Sequence, residues 1–423
     1  ALDMHILHLS ESDVDNGGAR AAYRLHQGLQ SIGCHSQMLV RAKFSTDSTV
    51  IRETSFLTKI SPPLSALPLR FYPKYKGGIF SSQLVPDILA KRVKQHNPDI
   101  AHIHAICNGY LKIETLKKIR RPIVWTLHDM WPFTGGCHYS EGCENYKVSC
   151  GSCYQLGSKN SSDLSHRVWK RKLNSWKNLN LTIVATTSWM ANCAQNSSLF
   201  KNIPIEIIPL GLDTDRYKPY NHLFAREVLN LPRDKKLVLF GAIGGTSDPR
   251  KGFHLLQPAL QSLRESKWQD HIELVIFGNS QPKEVIDLGF KAHYVGRLND
   301  DISLALAYSA SDVMIAPSIQ EAFGQTASEA LSCGTPVVAF NATGLKDVVV
   351  HQQTGYLAKP FEIGDLAKGI EWVIEDQERY QNLKLQSRQR ALQKFSSKVQ
   401  ASRYVSLYRK ILEKDDIKIL HVN

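Results

Sequence analysis

The chain has 423 residues, 43% of them hydrophobic and 22% charged; that is an ordinary globular composition at a length too great for one core, so two domains are expected. No apolar run reaches the about 18 residues that cross a bilayer and no signal peptide is visible, which argues against a helical membrane protein and for a cytoplasmic one. The net charge of +13 is uneven: residues 1–210 hold 25 Lys and Arg against 14 Asp and Glu, the remainder 27 against 25, which points the first half toward an anionic partner, while no nucleic-acid-binding module is recognisable.

Met4 directly precedes the first strand, His5–Ser10, and Ala1-Leu2-Asp3 reads as an added stretch. Gly17-Gly18 then opens a helix over about Ala19–Ser31, and paired glycines there let a phosphate or sugar approach the backbone closely. The loop is not Gly-x-Gly-x-x-Gly and no acidic residue closes a second strand at the usual distance, which argues against a dinucleotide oxidoreductase. Arg20 could assist an anion at this turn. Cys34–Arg41 and Thr49–Arg52 read as strands. Residues 55–83 read as irregular, with Pro62-Pro63, Pro68 and Pro73, and Leu67–Lys76 mixes aromatics with cations as a membrane-interface or acceptor loop would.

A helix over Pro86–His96 leads to two strands, Asp99–Ala105 and Ile123–Asp129, with a basic helix between them. The second ends in His128-Asp129, at the carboxyl edge where α/β sheets bind ligands. Gly135-Gly136 follows in a loop that must turn sharply. Cys137, Cys143, Cys150 and Cys153 then fall within 17 residues. Four thiolates can close a tetrahedral zinc shell in a cytosolic protein, so a structural zinc pinning this loop is expected, with His138 as a substitute ligand; reduced thiols, or disulfides formed on handling, are the alternative.

After a basic helix around Arg167–Lys177 and two strands, Gly211–Pro219 reads as the link between domains. Asp213-Thr-Asp215 is a literal Asp-x-Asp, but it stands in a turn, where Asp is common, and metal binding is not expected of it. Leu237–Ala242 restarts the strands, and Gly244–Gly252 forms a second glycine-rich phosphate cradle, now with Arg250 and Lys251. The most informative stretch is Pro317–Pro336. A buried strand, Val313–Ala316, ends at Pro317; a loop carries Glu321, Phe323 and Gly324; a helix runs over Thr326–Leu331. The amides of Gly324, Gln325 and Thr326 suit an anionic phosphate. Glu321 and Glu329 would repel one, so they are assigned to the hydroxyls of a sugar.

This Glu-x7-Glu, preceded by Pro-Ser and followed by Gly-Thr-Pro-Val-Val-Ala, resembles the family-four retaining glycosyltransferases of the GT-B fold. The resemblance implies two Rossmann-like α/β domains facing across a cleft, with the C-terminal helix crossing back to the first domain. It gives Glu321 the donor sugar's hydroxyls, Glu329 the ribose, Lys251 the diphosphate, Arg297 and Leu298 the base, Gly17-Gly18 the diphosphate and acceptor, and His128 the donor sugar. The family's usual arginine falls on Gly245, a departure that Arg250 would have to make good. A cysteine-rich insertion like this one occurs in a subset of the family.

The resulting expectation is a hexosyltransferase working with retention and without a catalytic metal. Residues 1–210, with about 398–423, form the acceptor-side domain, and residues 211–397 bind the nucleotide sugar, a UDP-sugar first among them. His128, Lys251 and Glu321 would carry the chemistry. The acceptor would be a glycan or lipid-pyrophosphate in envelope or exopolysaccharide synthesis, with basic residues touching the inner face of the cytoplasmic membrane. A sugar-nucleotide epimerase and a non-catalytic nucleotide-sugar-binding protein are the alternatives.

Overall fold

Short apolar runs alternating with amphipathic helices leave parallel strands covered on both faces, and both sheets of the protein are built this way. The computed structural model describes residues 2–241, 248–278 and 286–420. The chain divides into two units, residues 1–211 with 398–423, and residues 212–397.

The first unit holds β1 (Leu2–Ser12), β2 (Cys34–Ala42), β3 (Val50–Arg52), β4 (Ile100–Ile103), β5 (Ile123–Leu127), β6 (Leu181–Ala185) and β7 (Ile205–Ile207). Their order is β3-β2-β1-β4-β5-β6-β7, and every neighbouring pair is parallel. β4 and β5 are buried at every residue. The strand order reverses between β1 and β4, the kind of switch point beside which such sheets bind ligands.

The second unit repeats the plan with β8 (Lys236–Gly241), β9 (Ile272–Phe277), β10 (Ala292–Gly296), β11 (Val313–Ala316), β12 (Val337–Phe340) and β13 (Gly355–Ala358). They lie in the order β10-β9-β8-β11-β12-β13, again all parallel. Here the switch point is at β8 and β11. Gly244-Gly245, half of the second phosphate cradle, lies outside the described residues.

The last helix, Ser397–Leu420, belongs to the first unit. Its Ala401, Tyr404, Val405, Tyr408 and Ile411 join Ile6, Ile100, Val124 and Val184 in one core. Residues 55–83 correct the irregular reading. Phe56–Ala66 is a helix and Leu67–Phe71 a 3-10 turn. Pro62 cannot donate to the Thr58 carbonyl, and Ser61 Oγ does so instead at 3.3 Å, which is how the helix passes the first of its two prolines.

Candidate functional site

At the carboxyl end of β11 the chain turns through Pro317–Phe323 into the helix Gln325–Ser332. Gly324, at φ +93°, makes the left-handed turn that starts it. The loop is clamped from behind: Glu321 N–H donates to Thr343 Oγ1 at 3.0 Å, and Gly344 N–H to the Glu321 carbonyl at 2.8 Å. A second segment is stitched to its front. The 3-10 turn Pro249–Lys251 is capped by Asp248, and its Arg250 carbonyl accepts from Ile319 N–H at 2.8 Å. Gly252 follows at φ +76°, and a Cβ there would stand 1.8 Å from the Pro317 carbonyl oxygen.

These contacts put Lys251 Nζ 2.9 Å from Glu321 Oε2 and Arg250 Nη1 3.7 Å from the same oxygen. Arg250 also donates to the Gln320 carbonyl at 2.8 Å. Burial alone would raise the Glu321 carboxyl, but Lys251 and then Arg250 outweigh it and hold the group below the usual carboxylate range. The corner therefore presents two cations, an ionised carboxylate and the N-terminus of a helix, the positive end of its dipole.

The other predicted donor-binding residues are placed differently. Glu329 is 1% exposed and accepts from the Tyr308 hydroxyl at 2.9 Å. The Phe323 side chain is buried, edge-on to Phe395 at 5.6 Å. Thr326 is exposed on the first helical turn. Arg297 and Leu298 lie just past β10, at the same carboxyl edge but beyond β8 and β9. Asp213 accepts from Asp215 N–H at 2.9 Å, an Asx turn.

In the first unit Asn16 caps the helix Gly17–Ser31. A Cβ on Gly18 would lie 3.5 Å from His128 Cβ, so Gly17-Gly18 and His128 come together at the ends of β1 and β5. Asp129 turns away to other partners. Its Oδ1 accepts from Trp131 N–H at 2.9 Å and its Oδ2 pairs with His138 Nδ1 at 2.7 Å. His138 Nε2 meets Ser81 Oγ at 2.9 Å, so both ring nitrogens are engaged and His138 is not a spare metal ligand. Burial would lower His138, yet Asp129 raises it to about 10. Lys172, wholly buried, donates to the carbonyls of Trp131 and, at 2.9 Å, Thr134.

The expected zinc shell rests on the cysteine spacing alone. Cys137, Cys143, Cys150 and Cys153 are free thiols. Among the described residues the one gathered trio of histidine, cysteine or acidic ligand atoms is His8, His102 and His104. The backbone around the cysteines is organised by other bonds: Thr134 Oγ1 donates to the Cys137 carbonyl at 2.6 Å, and Cys153 N–H to Asp163 Oδ2 at 2.8 Å. Burial pushes the Cys150 thiol up to about 12 and raises Cys137 further. Among the described residues no three of these sulfurs gather within 4.8 Å of one another. Sequence reasoning also missed the buried histidines behind His128; their signal was His102 and His104 two residues apart, on and just after β4, beside His8 of the neighbouring strand.

Two family models cover most of the chain: Glycosyltransferase Family 4 matches residues 15–216 and Glycosyl transferases group 1 matches residues 223–390. A D-inositol 3-phosphate glycosyltransferase of Xylanimonas cellulosilytica is 35% identical over 170 residues, 36% of this chain and 39% of that protein. The match thus spans about two fifths of the relative's length. Among solved structures, sucrose-phosphate synthase from Thermosynechococcus elongatus superposes with a TM-score of 0.71 at 21% identity, covering 97% of this chain and all of that one. HepE of Anabaena, in complex with UDP and glucose, gives 0.65 at 18% identity, covering 96% and 100%. At these identities the two structures speak for the fold.

Proposed function

Because the chain belongs to the family-four glycosyltransferases of the GT-B fold, we propose that it moves a hexose from a UDP-sugar to a hydroxyl of an acceptor, with retained anomeric configuration. The observation that carries the reading is the Lys251–Glu321 pair, 2.9 Å apart at the mouth of a helix N-terminus. A nucleotide diphosphate leaves with growing negative charge; Lys251, Arg250 and the Gln325–Thr326 helix start would receive it without a divalent ion. As Lys251 turns to the phosphate, Glu321 is released to accept from the sugar's hydroxyls. His128 would hold the sugar and Glu329 the ribose. The anomeric carbon–phosphate oxygen bond breaks, the carbon–acceptor oxygen bond forms on the same face, and the departing phosphate takes the acceptor's proton.

The acceptor is proposed to be anionic, a glycan or lipid-linked pyrophosphate of envelope synthesis met at the inner face of the cytoplasmic membrane. The surplus of Lys and Arg in residues 1–210 supports that choice, as does the inositol phosphate in a relative's name. Among the described residues no helix is long and apolar enough to cross a membrane. The test is nucleotide diphosphate release from a panel of UDP-, GDP- and ADP-sugars with EDTA present and no acceptor added. Slow release of UDP from one donor is expected. A donor that binds, is isomerised and keeps its nucleotide would overturn the reading in favour of an epimerase, and a donor that binds without any change would mean that the acceptor is obligatory or that the chain is a binding protein.

A further inference from the structure

His128 is the outer end of a series of imidazoles that runs into the sheet. His8 stands on β1 and His102 and His104 stand on and just after β4, with His8 and His102 paired in register. His8 and His102 are wholly buried and His104 is 2% exposed. His8 Nδ1 lies 2.9 Å from His104 Nε2, and His104 Nδ1 lies 3.0 Å from His128 Nε2. His102 stacks on His104 with ring centroids 4.3 Å apart but uses its own nitrogens elsewhere, on the Tyr408 hydroxyl at 2.5 Å and Thr126 Oγ1 at 2.8 Å. The inner end of the series is His8 Nε2, buried with no partner.

A neutral imidazole has one N–H and one lone pair, so His104 must donate on one side and accept on the other, and both bonds run the same way. Were they to run inward from His128, His8 would carry its proton on Nε2, a buried N–H facing no acceptor. Running outward, His8 Nε2 is a lone pair without a donor. Orphaned buried N–H groups are the rarer defect. Burial keeps the rings neutral: it drives His8 and His104 well below the ordinary histidine range and His128 to about 4.

We propose that His8 and His104 are positioning residues that fix His128 as its Nδ1–H tautomer, so that its open nitrogen is a hydrogen-bond donor to an oxygen of the donor sugar. The substrate half of this statement rests on the function proposed above; the tautomer half does not. A metal ion at His8, His102 and His104, whose ligand atoms lie within 4.8 Å of one another, would have to break these bonds.

The experiment is a long-range proton–nitrogen correlation spectrum of the full chain labelled in its histidine rings, with His128 assigned by substitution. The expected result is a protonated Nδ1 and an unprotonated Nε2 at His128. In His104→Leu the His128 signal should move toward a mixture of tautomers, and kcat for donor hydrolysis should fall about tenfold, the worth of one hydrogen bond, with donor KM nearly unchanged. His104→Asn, whose amide can still donate to His128 Nε2, should recover most of the loss. A proton on His128 Nε2 in the unaltered protein overturns the proposal, and so does a folded His104→Leu variant with full kcat. Added zinc that shifts the His8, His102 and His104 signals together overturns it in favour of a metal centre. Should His128→Ala turn over donor normally, the role of His128 fails, while the tautomer is still decided by the spectrum.

Discussion

Lys251 reaches Glu321 because the residue after it has no side chain. With a Cβ 1.8 Å from the Pro317 carbonyl, Gly252→Ala must push the Pro249–Lys251 turn off the end of β11. That variant should lose on the order of 3 kcal/mol of stability and most of its donor affinity, read by thermal unfolding with and without UDP. Lys251→Ala leaves the backbone alone and should lower kcat about a hundredfold or more, the scale of a lost electrostatic contact to a developing charge. Glu329→Gln should cost less, since Glu329 is assigned to the ribose, which does not react; equal and small effects in a donor-hydrolysis assay would refute the assignment. Glu321, Lys251 and Gly324 were legible in sequence because each stands within one loop of a strand end. The histidine series was not, because residues 8, 102, 104 and 128 meet only through strand register. Cysteine spacing is limited in a related way: it says how far apart the residues lie along the chain and not where their sulfurs point.

The loop after β5 is an element held by its neighbours. Trp125, Trp131 and Trp176 pack on one another, with Trp125 and Trp176 edge to face at 5.2 Å, and Lys172 sits 3.6 Å over the Trp131 ring. Lys172→Met would keep the packing and abandon two carbonyls, at about 2–4 kcal/mol, measured by denaturant unfolding. The Asp129–His138 pair gives the same loop a pH signature. His138 is raised in the folded chain to about 10, so its contribution is complete below the ordinary histidine pKa near 6.5 and fades as the pH climbs toward 10. The melting temperature of the parent chain should therefore exceed that of Asp129→Asn most at about pH 6, and the gap should shrink steadily and close only above about pH 10. A gap independent of pH would show that the pair is not charged. This loop was read correctly as a tight turn, but its fastening by Lys172 was hidden, because a lysine in a basic amphipathic helix reads as solvated.

Each unit of the whole molecule has its own parallel sheet, and the plan was legible from the alternation of apolar strands and helices. The sequence also marks the last helix as amphipathic, but nothing local says which core its apolar face enters. Tyr408 and Tyr404 answer that, hydrogen-bonded to His102 of β4 and Thr126 of β5. Residues 212–397 contain a complete core of their own and, expressed alone, should fold cooperatively and bind UDP by calorimetry. Residues 1–211 alone should not fold, because the face formed by Ile6, Ile100, Val124 and Val184 would lack its cover.

That final helix also sets an order of events during synthesis. The unit whose strands emerge first from the ribosome is the one that finishes last, since its sheet stays open on one side until residues beyond Ser397 arrive. The later unit can close while the earlier one waits with an apolar face in water. A premature stop anywhere between residues 212 and 397 would thus leave a chain with an unfinished N-terminal half, prone to aggregation.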